Sequence, residues 1–152
     1  MFITVLTVLL LAKFGVSTPY TNCGSKLGLL KSAKIFDCDD NQEHGCYVKT
    51  GTKQNVEISF KLYDPIKELT SVVLGTVYTI ADSITAPLPM ENNNACKDSG
   101  LSCPLDKNKP YTYKTTIEIP RNTYQTLLKL EWKLKDESNT TAICVSLKAN
   151  LT

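Results

Sequence analysis

The chain has 152 residues, is 42% hydrophobic and 21% charged, and sets 17 Lys and Arg against 15 Asp and Glu. One domain of ordinary globular composition fits these values; a disordered chain, a collagen or a coiled coil does not. Interspersed charges give neither a basic face for nucleic acid nor a polybasic run for an anionic membrane, and the lone histidine, His44, argues against a His-rich metal site or a Ser-His-Asp triad.

Residues 1–12 are an apolar run without charge, followed by Lys13 and by small residues at Gly15 and Ser17. The run is shorter than the roughly 20 residues of a membrane span. It reads as a signal peptide, residues 1–17, cleaved after Ser17 to leave a mature domain of residues 18–152. All six cysteines lie in that domain, and an even count in an oxidising compartment implies disulfides. Cys38 and Cys46 are close in sequence, as are Cys96 and Cys103. Pairing them leaves Cys23 with Cys144, one near each end of the mature chain.

Between the cysteines the chain reads as strands. Residues 27–36 are a first strand of less regular pattern. Over 54–63, Val56, Ile58, Phe60 and Leu62 share one face while Glu57, Ser59 and Lys61 share the other, the period of a half-buried antiparallel strand. Residues 69–80 are rich in Val, Thr and Tyr, with few charges, and read as a strand covered on both faces for part of its length. Then comes Ala86-Pro87-Leu88-Pro89-Met90, too apolar for an ordinary surface loop, which predicts a stretch resting on something apolar. Tyr111, Tyr113, Thr115, Ile117 and Ile119 share a face until Pro120. Leu128, Leu130, Trp132 and Leu134 alternate with charged residues, and Ile143, Val145 and Leu147 alternate with Cys144, Ser146 and Lys148. Six or seven such strands without a sustained helical stripe predict an all-β sandwich of immunoglobulin size. Asn139-Thr140-Thr141 and Asn150-Leu151-Thr152 are acceptor triplets for glycans.

Catalytic signals are weak. Neither a GxxxxGK nor a GxGxxG loop is present, and nothing selects a carboxylate pair. His44 and the acids Asp37, Asp39, Asp40 and Glu43 read as a solvated loop, because the run lacks the central Gly and the terminal Glu of a calcium loop. No cofactor or metal is expected.

Three runs carry a family resemblance: Cys96-Lys97-Asp98-Ser99-Gly100-Leu101-Ser102-Cys103-Pro104-Leu105, Tyr111-Thr112-Tyr113, and Glu131-Trp132-Lys133-Leu134-Lys135-Asp136. With Cys23-Gly24 near the mature start, they resemble the ML (lipid-recognition) superfamily, in its secreted Niemann–Pick type C sterol-carrier branch and in the arthropod manner. The resemblance implies an immunoglobulin-like β-sandwich of two antiparallel sheets with a lipid cavity between them. It also implies the disulfides Cys23–Cys144, Cys38–Cys46 and Cys96–Cys103. Inward positions match Val48, Val56, Ile58, Phe60, Leu128, Leu130 and Trp132. The pocket mouth matches Leu88 on one side and Ile119, Pro120 and Tyr124 on the other, with Tyr124 the polar group and Lys97 and Lys107 weaker ones. Leu88 stands where the family carries Phe, and the stretch between Gly75 and Cys96 is longer.

The expectation is a monomeric extracellular or lysosomal-lumen carrier of a fatty acid, sterol or semiochemical, without nucleic-acid partners, handing its ligand to a receptor or membrane acceptor. Two alternatives are an immune module that holds bacterial lipid for a receptor, and a lipid or glycan hydrolase.

Overall fold

The computed structural model describes residues 20–35, 46–121 and 126–152. Its strands are β1 (Tyr20–Asn22), β2 (Gly28–Ile35), β3 (Tyr47–Val48), β4 (Lys53–Leu62), β5 (Thr70–Tyr78), β6 (Ser83–Pro87), β7 (Tyr111–Glu118), β8 (Leu127–Lys135) and β9 (Thr141–Leu151), with no helix among the described residues. They form two sheets. The larger runs β1-β9-β8-β5-β6, with β3 also on β9; the smaller runs β2-β4-β7. All pairs are antiparallel except β3 with β9, which runs parallel through Tyr47↔Asn150 and Val48↔Leu151.

The period of two determines which faces are covered. On β4, Gln54, Val56, Ile58, Phe60 and Leu62 are buried, while Glu57, Ser59 and Lys61 are half-buried on the other face. On β8, Leu128, Leu130, Trp132 and Leu134 are buried. Each such apolar side chain contributes about 1.5–3 kcal/mol on leaving water. The inner faces meet where Tyr113 of β7 packs edge-on against Trp132 of β8, ring centroids 6.1 Å apart. The indole N–H of Trp132 donates to Ser71 Oγ of β5 at 2.6 Å, so its one polar atom is satisfied in the core.

Three short strands, β1, β3 and β6, go beyond the sequence reading, and each has a physical origin. β1 and β3 share the edge of β9 opposite β8, at Val145–Leu147 and Asn150–Leu151 respectively. Cys144 and Ser146, which alternate with the apolar Ile143, Val145 and Leu147, are buried as well. The segment after β1 covers them: Cys23 bonds Cys144 through a disulfide, its N–H donates to the Cys144 carbonyl, and Ser25 Oγ accepts from the Cys144 N–H. β6 folds back on β5 as a hairpin, so Ala86 and Pro87 belong to a strand and Ile80 lies exposed at the tip. The expected cover on both faces of β5 is not found: one face is buried, while Val72, Leu74 and Thr76 on the other are half-buried, because its paired neighbours β6 and β8 lie beside it in the same sheet rather than over that face. The irregular first strand carries a bulge between Leu30 and Ser32.

Cys23–Cys144 and Cys96–Cys103 are bonded, with Cα atoms 5.0 and 5.5 Å apart. Cys46 is buried. Its expected partner Cys38 lies outside the described residues, as do residues 1–17, His44, the acidic run around it, and Tyr124.

Candidate functional site

Residues 87–94 run from the end of β6 across the seam between the sheets. Backbone bonds pin this strap to β5: Leu88 N donates to Val73 O at 3.0 Å, and Ser71 N to Asn93 O at 2.7 Å. Leu88 and Met90, both half-buried, turn back onto the core. Leu88 has room because residue 75 is glycine on the inner face of β5; a Cβ built there would lie 3.1–3.3 Å from three Leu88 side-chain carbons. The apolar stretch thus rests on the apolar interior.

Where the strap passes the ends of β4 and β7 it frames a surface pocket of about 350 Å³, the candidate mouth, within the range of small-molecule sites and lined on β4 and β7 by their exposed, outward residues. Pro89, Met90 and Glu91 line one side; Lys53, Thr116, Glu118 and Pro120 line the other. Lys53 and Glu91 pair across it at 3.0 Å, and the Glu91 carboxylate holds the Lys53 ammonium above its ordinary pKa. Both are exposed, so the pair orients the strap more than it stabilises the fold.

Of the residues matched to the family, Val56, Ile58 and Phe60 on β4 face Leu128, Leu130 and Trp132 on β8 from the opposite sheet, all buried. Val48 is buried too, but on β3 at the edge of β9 rather than between those strands. Ile119 is buried and tied by backbone bonds to Gly51 and Thr52. Pro120 is exposed and lines the mouth. Lys97 lines a neighbouring polar groove of about 590 Å³ that shares Glu91 and Thr116 with the mouth, whereas Lys107 is exposed elsewhere. That groove carries Glu57, Glu91 and Asp98 against Lys97 and Lys114, so its rim is not cationic.

Gln54 escaped the sequence reading. It occupies the first inward position of β4, next to Lys53 and opposite Ile117, and is 4% exposed. The hydroxyl of Thr52 donates to the Lys49 carbonyl, so its oxygen must accept from Gln54 Nε2 at 2.8 Å. The amide orientation is thereby fixed, and Oε1 is left as the one buried side-chain polar atom without a partner among the described residues. Such an orphan costs about 1–3 kcal/mol. The signal was present in the sequence: parity places residue 54 on the same face as Val56.

The glycan acceptors differ. Asn139 is exposed in the turn between β8 and β9 with φ +62°, while Asn150 lies within β9 between Leu127 and Tyr47, half-buried. The one cluster of potential metal ligands among the described residues, Cys23, Cys144 and Glu131, has both sulfurs in a disulfide.

A family profile described as the ML domain matches residues 17–151. An NPC intracellular cholesterol transporter 2 homolog from Drosophila melanogaster is 32% identical over 141 residues, covering 93% of this chain and 92% of its own. The NPC intracellular cholesterol transporter 2 of Mus musculus is 30% identical, covering 96% and 95%. Among solved structures, a Niemann-Pick type C2 protein from Japanese carpenter ant superposes with a TM-score of 0.74 at 25% identity, over 88% of this chain and 99% of its own.

Proposed function

The chain belongs to the ML-domain family, and from that premise we propose that it is an extracellular carrier holding a fatty acid, a sterol or a similar apolar semiochemical between its two sheets. The observation that carries this reading is two sheets whose facing side chains are apolar, with a pocket edged by Pro89, Met90 and Pro120 at one end of β4 and β7 beneath the apolar strap. The names of the Drosophila and mouse relatives, both cholesterol transporters, point the same way.

The work of such a protein is carriage rather than catalysis. Burying roughly 300 Å² of ligand surface at about 25 cal/mol per Å² yields about 7 kcal/mol before association costs. Apolar walls supply that affinity, with Val56, Ile58, Phe60, Leu128, Leu130 and Trp132 as the central lining. Leu88 is the plug that a ligand displaces and Pro120 edges the opposite lip, the side to which the family match also assigns Ile119 and Tyr124. A monomer that gives its cargo to a membrane or a receptor suffices for this task. The rim charges of the adjacent groove nearly balance, which favours neutral cargo over the anionic lipid of an immune module.

Export is proposed from the apolar run at 1–17 read as a leader, a reading with which a family match over residues 17–151 agrees. Native mass spectrometry of the protein from its own source, with extraction of the bound species, tests the carrier reading. A co-purifying fatty acid, sterol or volatile apolar compound is expected. An empty protein that also fails to displace a fluorescent lipid with any fatty acid or sterol overturns it.

A further inference from the structure

We infer that Gln54 Oε1 is the hydrogen-bond acceptor for the polar end of the cargo, so that the site selects a ligand with an O–H donor, an alcohol or sterol hydroxyl, over an ionised carboxylate. The inference rests on the carrier reading and adds the chemical class of the headgroup. Four observations converge on this atom. Gln54 points into the sandwich with Val56 and Ile58, and its amide is buried. It sits opposite Ile117 on the inward face of β4, on the other side of the sheet from Lys53 but at the same end of the strand as the pocket that Lys53, Pro89, Met90 and Pro120 line, so it is a polar group at the strap end of the interior. The chain Gln54 Nε2 to Thr52 Oγ1 to Lys49 O fixes which end of the amide is free. The free end is an acceptor and has no partner.

An acceptor distinguishes headgroups by proton inventory. A hydroxyl donates to Oε1 and removes the orphan. A methyl ether of the same chain presents no donor and leaves the orphan in place. A carboxylate at neutral pH presents only lone pairs and repels it. A site built around a group that needs a donor therefore discriminates more sharply than apolar walls alone.

The test uses the mature chain in competition against a fluorescent sterol probe, with oleyl alcohol, its methyl ether and oleate as competitors. Wild-type protein is expected to prefer the alcohol over the ether by about tenfold, the return on one or two net hydrogen bonds, with oleate weakest. Gln54→Leu is expected to bring the alcohol-to-ether ratio to near one and to melt no lower than wild type, since it removes an unsatisfied group. Gln54→Met, close in shape and without an amide acceptor, is expected to lower the ratio in the same way, which preserves the test if the leucine variant folds poorly. Equal binding of alcohol and ether by wild type, or a ratio unchanged in Gln54→Leu, overturns the inference and leaves the carrier reading standing. Displacement by none of the three competitors, nor by cholesterol, overturns the carrier reading and the inference with it.

Discussion

Replacing Gly75 by valine puts a side chain where Leu88 now lies. The backbone at 75 is ordinary strand, so the cost comes from space. The new Cβ alone meets Leu88 Cδ1, Cγ and Cδ2 at 3.1, 3.2 and 3.3 Å, and the two methyl groups beyond it need more. Overpacking of this kind costs about 1–3 kcal/mol. Leu88→Ala removes a half-buried plug and costs about 1–2 kcal/mol, below the usual range for a fully buried leucine. The double variant restores the match, since alanine at 88 vacates what valine at 75 fills. Its destabilisation is expected to fall short of the sum of the two by about 1–2 kcal/mol. Trp132, the only tryptophan, sits in the core and reports urea unfolding of all four proteins by its emission. Leu88→Ala should also speed exchange of a fluorescent lipid, because the strap then has less to withdraw from the interior. Additive costs, within about 0.5 kcal/mol, refute the plug.

Two further outcomes are expected. Burial holds the Tyr113 hydroxyl above its ordinary pKa of 10.0, against hydrogen bonds to Ser71, Thr115 and Trp132 that lower it. The unfolded chain therefore loses this proton first as pH rises: the contribution is fully present below about pH 10 and is lost above it. Melting profiles taken from about pH 8 to 11 should fall less steeply for Tyr113→Phe than for wild type; parallel profiles count against the assignment. For glycans, Asn139→Gln should remove the carbohydrate mass of the secreted protein, while Asn150→Gln should leave it unchanged, since Asn150 is half-buried within β9 between two neighbouring strands. Intact-mass measurement after glycosidase treatment decides between them.

The parts of the fold that repeat were legible in the sequence. The alternations at 54–63 and 128–135 named the inner faces of β4 and β8, because a strand with one face in water must segregate its side chains. The spacing of Cys96 and Cys103 named their bond. What stayed hidden depends on neighbours distant in sequence. Nothing near Ala86 and Pro87 announces a strand; β6 exists because β5 offers it an edge. Cys144 and Ser146 look like an outer face until the segment around Cys23 covers them. Leu88 reads as half of a proline-flanked motif, but its plugging role depends on the missing side chain at Gly75, thirteen positions earlier. Gln54 shares the parity of Val56, but a polar residue at the start of a strand has the look of an exposed end, and its burial depends on what packs over it.

The position of β9 constrains how the molecule comes into being. It is flanked by β8 on one edge and by β1 and β3 on the other, yet it follows all of them in the chain. During synthesis, which proceeds at about 5–20 residues per second, β1 and β3 have no strand of the larger sheet to pair with until its last strand has emerged. Cys23 waits across a separation of 121 residues for its partner. Throughout that interval its thiol meets every intervening cysteine before the correct one. The oxidative step that joins the two ends is thus a late act of assembly, and the loop it closes is long enough for the bond to constrain the unfolded chain strongly once formed.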